Sequence, residues 1–274
     1  MKLRVAFFLV FILLLIGKTN SQVLPNFNPE KAALTKNYIR SGFIDFAQVT
    51  SAPFSWQQKD WMLFGGVSVG TVLLFTSDLK ISTWFYKHRT SSSSKIVDSF
   101  IEPWGGDIQK NYTIYSIIGC YAIGLAIKDE QLKKVAMLST KAIIVSGVLN
   151  GLSKAAFGRK RPYQTQLNSA HIWEGPNLKG YYSFPSGHTM SVWSVASVFA
   201  YEYKNKPWVP ITAYSLATLV GVSRIHDNDH WASDVFLGAA FGWTIGHFIA
   251  KQNNWGLSIS SVNGKSTAGL AYTF

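Results

Sequence analysis

The sequence predicts an all-α protein: a six-helix bundle with a short C-terminal β-hairpin. Three observations carry that expectation. Six apolar segments run at helical length, an Asn-Gly pair separates two alternating stretches near the C-terminus, and the composition is apolar with few charges. Of 274 residues, 47% are hydrophobic, 15% aromatic and 15% charged, and the mean hydropathy is +0.11. A chain of this kind has enough apolar surface to offset the entropy of ordering, which excludes an intrinsically disordered protein. A single cysteine, Cys120, excludes an intrachain disulfide framework and a cysteine-clustered metal site. Lys and Arg number 26 against 14 Asp and Glu, a net charge of +12, which favours anionic partners: phosphates, anionic lipid or nucleic acid.

Residues 1–22 read MKLRVAFFLVFILLLIGKTNSQ. Lys2 and Arg4 precede an apolar run over 5–17, and the small residues Thr19 and Ser21 follow it, the pattern of an export signal over 1–21. The run is short for a bilayer span, which takes ~20 residues. Residues 22–60, with Pro25, Pro29 and Pro53, read as an extended or partly helical lead-in. The helical domain over 61–250 holds the six segments, at 61–75, 112–127, 135–152, 188–203, 208–222 and 232–250. Between the first two, residues 88–95 with four consecutive serines and Pro103-Trp104-Gly105-Gly106 carry loop chemistry.

Most of these segments fall between the length of a core helix and that of a bilayer span. Lys141 interrupts the third, and Asp234 and His247 sit in the sixth, where lipid exposure would be costly. After an export signal, six complete spans would put the loop that follows the third helix in the cytoplasm. The sequence therefore favours an exported bundle in the periplasm or against the envelope membrane, with integral insertion as the alternative. In the tail, 251–274, taking Asn263-Gly264 as a two-residue turn sets Val262 opposite Lys265, Ile259 opposite Ala268, Leu257 opposite Leu270 and Trp255 opposite Tyr272. No sequence feature specifies an oligomeric state.

Three clusters carry chemistry, each at the end of an apolar segment. In Lys154-Ala-Ala-Phe-Gly-Arg-Lys-Arg161-Pro162, Gly158 and Pro162 stop a helix, and Arg161 holds a rigid pre-proline position. For Arg159 and Lys160 a basic patch at a helix C-terminus is a sufficient account. In Phe184-Pro185-Ser186-Gly187-His188, Ser186 can cap the following helix. The same N-terminus makes an anion site, with Gly187 leaving the approach open and His188 at its mouth. In the stretch from Ser223-Arg224 to His230 and Asp234, a helix capped by Asn228 or Asp229 would put His230 and Asp234 on one face. A carboxylate on one ring nitrogen would leave the other nucleophilic. The rival reading uses His226, His230 and Asp234 as metal ligands. It is the weaker, because His226 precedes that helix and no further ligand cluster is apparent.

Together, Lys-x6-Arg-Pro, Pro-Ser-Gly-His and Ser-Arg-x5-His-x3-Asp resemble the tripartite signature of the type 2 phosphatidic acid phosphatase and vanadium haloperoxidase superfamily. All three motifs occur here in order and without substitution. The resemblance covers about 61–250 and implies that family's six-helix core. It implies His230 as the nucleophile that forms a phosphohistidine, oriented by Asp234, and His188 as general acid. Lys154, Arg161, Ser186, Gly187 and Arg224 would bind the phosphoryl oxygens. Three cations and a helix N-terminus supply charge stabilisation without a metal, so neither metal nor cofactor is expected. The implied partner is a phosphorylated lipid or a small phosphate ester, not nucleic acid, with membrane association. A periplasmic acid phosphatase on soluble esters is the alternative. A vanadate-dependent haloperoxidase and a non-enzymatic envelope protein are the remaining readings. Nothing suggests halide handling, and no motif is degenerate.

Overall fold

A computed structural model describes residues 36–105, 112–176, 182–252, 255–262 and 265–272. The leader expected over 1–21 and the Asn263-Gly264 pair lie outside them. The chain divides into two units, Met1–Phe64 with Gln252–Phe274, and Gly65–Lys251. In the first, helix α1 (Lys36–Ser51) leads into a 3₁₀ turn at Ala52–Ser55. Strands β1 (Trp255–Val262) and β2 (Lys265–Tyr272) pair antiparallel, with Trp255 opposite Tyr272, Leu257 opposite Leu270, Ile259 opposite Ala268 and Val262 opposite Lys265.

Helix α2 (Gln58–His88) crosses the boundary between the units. The sequence reading ends it at residue 75, before Thr76-Ser77-Asp78. The helix continues because the acid of this polar stretch faces inward: Asp78 and, one turn on, Ser82 are fully buried, while exposed Thr76 returns its hydroxyl to the Leu73 carbonyl. The loop expected over 88–95 is also corrected. Helix α3 (Ser91–Ile96) starts there because Thr90 and Ser93 form a reciprocal capping box, the Ser93 N–H donating to the Thr90 hydroxyl and the Thr90 N–H to Ser93. A π-helical turn at Val97–Ile101 and the one-turn helix α4 (Glu102–Gly105) follow, so Pro103-Trp104-Gly105 is helical as well.

Helices α5 (Tyr112–Ala126), α6 (Glu130–Phe157), α7 (Gly187–Glu202), α8 (Trp208–His226) and α9 (Ala232–Gln252) take up the other five apolar segments. Helix α6 is longer than its apolar run because both ends are capped, by the Asp129 side chain at the start and by left-handed Gly158 at the end. Lys141 is buried on it. One core cluster joins Ile117 of α5, Ala136 of α6 and Val195 of α7. Another joins Val192 and Ala196 of α7 to Ala217 and Val220 of α8, with Trp104 of α4 packed against it. Among the described residues, α2 and α6 are long and apolar enough to cross a membrane. Val69, Val72 and Leu73 of α2 are each more than half exposed.

Helix α9 approaches α7 through a run of glycines four residues apart. A Cβ added at Gly238 would meet the Ser186 carbonyl oxygen at 2.7 Å, and one at Gly242 or Gly246 would overlap the carbonyl oxygens of Met190 and Ser194. The pairing of 238, 242 and 246 with 186, 190 and 194 keeps one register along the two helices, the close-contact geometry that small residues at this spacing allow. It also fixes the start of α7 beside the start of α9, where the Ser186 N–H donates to the Asp234 carbonyl at 3.1 Å. Gly242→Ala and Gly246→Ala are each expected to destabilise the protein by about 1–3 kcal/mol. Gly119→Ala, with open space around its Cβ position, should leave stability unchanged or slightly raised. Thermal unfolding of the detergent-solubilised chain checks this, and equal melting temperatures for the three variants would contradict the packing.

Candidate active site

The three sequence clusters meet at one end of the Gly65–Lys251 unit. The first is the exit from α6. Gly158, left-handed at φ 57°, ends the helix with its N–H on the Lys154 carbonyl, leaving Lys154 in the last turn. The chain then runs extended, with the Lys160 N–H donating to Ile172 and the Ser183 N–H donating to the Arg159 carbonyl at 2.8 Å. Arg161 is extended before Pro162, which opens a 3₁₀ turn at Pro162–Thr165.

The second cluster opens α7. Ser186 stands at the N-cap position, but its side chain makes no capping bond, contrary to the sequence expectation. Its hydroxyl instead shares a 2.9 Å hydrogen bond with the Thr189 hydroxyl. The first-turn N–H groups therefore carry no cap from Ser186, the condition under which a helix N-terminus receives an anion. Asn150, one turn before Lys154 on α6, donates to the Pro185 carbonyl at 3.0 Å. A Cβ at residue 187 would sit 2.7 Å from the Asn150 Oδ1, so a larger residue there would displace the Asn150 amide from this contact.

The third cluster corrects a larger expectation. His230 does not ride on a helix with Asp234. Helix α9 starts at Ala232, and His230 lies in the turn before it, where Asn228 is left-handed at φ 60° and the N–H groups of Asp229 and His230 both donate to the Arg224 carbonyl. Asp234 accepts the Trp231 N–H at 3.2 Å. Among the described residues no hydrogen bond joins the Asp234 carboxylate to the His230 ring. Ser183 stands between them: its hydroxyl donates to Asp234 Oδ2 at 2.5 Å, and its carbonyl oxygen accepts from His230 Nδ1 at 2.6 Å. A carbonyl can only accept, so Nδ1 carries the proton and Nε2 the lone pair. His230 is fully buried, and Nε2 has no hydrogen-bond partner among the described residues.

His188 lies across from it, with ring centroids 6.4 Å apart. Asp229 bridges the two arginines, 3.4 Å from a terminal nitrogen of Arg161 and 3.4 Å from one of Arg224. The buried Arg161 Nε has no partner among the described residues. Burial, and then the charges of Arg224, Lys154 and Arg161, hold His188 down to about 3. Burial also lowers His230 well below the ordinary imidazole range, with Arg161, Lys154 and His188 adding to the effect. All eight expected site residues are thus in the same unit and mutually arranged. His226 is not aimed at them: its ring nitrogens bond Asp227 at 2.7 Å and Ser93 at 3.1 Å.

Sequence reasoning missed Arg159, Asp78 and Ser183. Arg159 is not part of an exposed basic patch: it is fully buried, with ion pairs to Asp78 at 2.7 Å and Asp234 at 2.5 Å. Lys160 does fit the patch account, pairing at the surface with Glu174 at 2.8 Å. The signal for the buried pair was present in Asp78, a single acid inside an apolar helical run, which requires a basic partner.

Residues 136–257 match the family model described as the PAP2 superfamily. The matched stretch holds all eight expected site residues. A lipid A 1-phosphatase of Porphyromonas gingivalis is 38% identical over 104 residues, 38% of this chain and 20% of that protein. A probable diacylglycerol pyrophosphate phosphatase of Schizosaccharomyces pombe is 28% identical over 40% of this chain and 50% of that protein. Phosphatidylglycerophosphatase B of Bacillus subtilis is 39% identical over 78 residues, 26% of this chain and 38% of that protein. The chain thus spans from a fifth to half of the length of these relatives. A solved structure, a transmembrane PAP2 type phosphatidylglycerolphosphate phosphatase from Bacillus subtilis, is similar with a TM-score of 0.49 at 21% identity, over 67% of this chain and 92% of that one.

The two depressed imidazoles make stability pH-dependent. Below about 6.5, the ordinary imidazole value, the unfolded chain takes up protons at both positions that the folded site resists, so stability falls as pH falls through that range. Asp234, pushed up by burial although Arg159 and Ser183 pull it back, acts with the opposite sign across the carboxylate range. Melting temperatures should decline from pH 8 to pH 5.5, and less steeply in His188→Asn. A flat profile in the wild type would contradict the burial of two neutral imidazoles.

Proposed function

We propose that this chain is a phosphatase that hydrolyses lipid phosphates or diphosphates through a phosphohistidine on His230, with its site on the extracytoplasmic side of the membrane. One observation carries the reading: a buried imidazole whose tautomer is fixed, whose Nε2 has no partner among the described residues, and which the charges of Arg161 and Lys154 reach. Such a nitrogen is a nucleophile waiting for an electrophile with negative oxygens.

Lys154, Arg161, Arg224, the Ser186 hydroxyl and the Gly187 N–H bind the phosphoryl oxygens. Their charge stabilises the equatorial oxygens during in-line transfer, and the arginine forks grip two oxygens each. Nε2 of His230 attacks phosphorus while the bond to the leaving oxygen breaks and His188 protonates that oxygen. Water then gives a proton to His188 and attacks the phosphohistidine, breaking the P–N bond and releasing phosphate. The low His188 value suits this sequence. Three cations disfavour its proton, and the substrate's negative charge offsets them, so the acid form is favoured where a leaving group is bound.

Lipid substrates are supported by the exposed apolar residues of α2 and α5, including Val69, Val72, Leu73, Ile118 and Ile123, by the two helices able to span a membrane, and by relatives that are lipid phosphatases. The export signal read over residues 1–21 supports the extracytoplasmic side. Phosphate release by the purified chain in detergent, across phosphatidate, phosphatidylglycerophosphate, lipid A, isoprenyl diphosphate and p-nitrophenyl phosphate, tests the proposal. Lipid phosphates should be preferred in kcat/KM, His230→Ala should abolish turnover, and orthovanadate should inhibit while EDTA has no effect. His188→Ala should lose about 10²–10⁴-fold on lipid alcohols, and less on p-nitrophenyl phosphate, whose leaving group needs no acid. Retained turnover in folded His230→Ala would remove the mechanism, and a preference for small soluble esters would remove the lipid assignment.

A further inference from the structure

The Arg159 guanidinium uses all five of its N–H donors. Nε and one terminal nitrogen donate to the Ala170 carbonyl at 3.1 and 2.8 Å, and that same terminal nitrogen donates to Asp78 Oδ2 at 2.7 Å. The other terminal nitrogen donates to the Ser233 hydroxyl at 2.8 Å and to Asp234 Oδ1 at 2.5 Å. Asp78 is fixed in turn, its Oδ1 accepting the Ser233 N–H at 2.9 Å and its Oδ2 the Ser233 hydroxyl at 2.6 Å. Rings of Phe75, Trp173 and Trp231 surround the guanidinium, with centroids 4.8, 5.2 and 5.4 Å away. The far oxygen of Asp234 then accepts the Ser183 hydroxyl, which lies 3.3 Å from His230 Nδ1, while the Ser183 carbonyl accepts from that nitrogen.

We propose that Arg159 is the positioning residue of this site: its guanidinium, anchored by Asp78, fixes the Asp234 carboxylate and, through Ser183, the imidazole of His230. The proposal rests on the reading of His230 as nucleophile. Stability alone does not account for the arrangement, because burying one cation with two carboxylates returns little net free energy compared with apolar side chains of similar volume. What the network does supply is orientation. A carboxylate held only by Ser183 and the Trp231 N–H could rotate; one gripped by an arginine with no spare donor cannot. Lysine, a single point charge without the planar fork, cannot reach Asp78, Asp234 and Ala170 together.

Arg159→Lys and Asp78→Asn in the full chain test this, alongside wild type and His230→Ala. With p-nitrophenyl phosphate and phosphatidate, Arg159→Lys should lower kcat by about 10–100-fold while KM stays within about twofold, since Lys154, Arg161 and Arg224 still bind the phosphate. Asp78→Asn should move kcat the same way by a smaller factor. In Arg159→Lys the poorer pairing of Asp234 should also move the acid limb of the kcat profile toward neutral pH. Circular dichroism and melting temperature give the folded fraction. Wild-type kcat and pH profile in folded Arg159→Lys would overturn the proposal, as would a loss of rate no greater than the loss of folded protein. If wild type turns over no phosphate ester, or His230→Ala matches it, the phosphatase reading fails instead.

Discussion

A hydrogen bond from His230 Nδ1 to a backbone carbonyl is the constraint on which the rest of the site depends. Because a carbonyl cannot donate, the bond settles which ring nitrogen holds the proton and which holds the lone pair. Burial and nearby cations then keep the ring neutral. Had the partner been a hydroxyl or a water, either tautomer would be possible and the unpartnered nitrogen would have no fixed character. The arginines joined by Asp229 and the start of α7, which Ser186 leaves uncapped, set cationic and N–H groups in the same unit as that nitrogen.

Holding a backbone carbonyl in place is a task for the fold. Ser183 is tied by its N–H to the extended segment after α6, and its hydroxyl is tied to α9 through Asp234. The glycines at 238, 242 and 246 let α9 lie directly on α7, so the helix that carries Asp234 and the helix that opens with Gly187 keep one register. Left-handed Gly158 ends α6 where Lys154 can turn toward the same point. The end of α6 at left-handed Gly158, the end of α8 before left-handed Asn228 and the start of α7 deliver three groups of side chains to one unit.

Much of this was legible in the chain. Six apolar segments marked α2 and α5 to α9, though not α3 or α4, and the three motifs holding Lys154, Arg161, His188, Arg224 and His230 marked residues that the fold places in one unit. Where reading failed, the cause was a polar residue with a distant partner. Thr76-Ser77-Asp78 looked like the end of a helix because nothing local shows that Asp78 meets Arg159. Arg159 looked like surface charge for the same reason. The four-residue spacing of His230 and Asp234 suggested a shared helix face, yet a left-handed Asn228 and a turn put Ser183 between them. The serine run after His88 hid a capping box that needed only Thr90 and Ser93. Local pattern reports local structure, whereas a buried ion pair becomes visible only when segments far apart in sequence are brought together.

The most direct measurement is chemical trapping of the covalent intermediate. Full-length protein is quenched during turnover of a substrate labelled with ³²P, and the labelled residue is located by digestion and mass spectrometry. The account predicts label on His230, stable to alkali and lost in mild acid. Label on a serine, stable to acid, or a wild-type enzyme that turns over without any protein-bound phosphate, would contradict it.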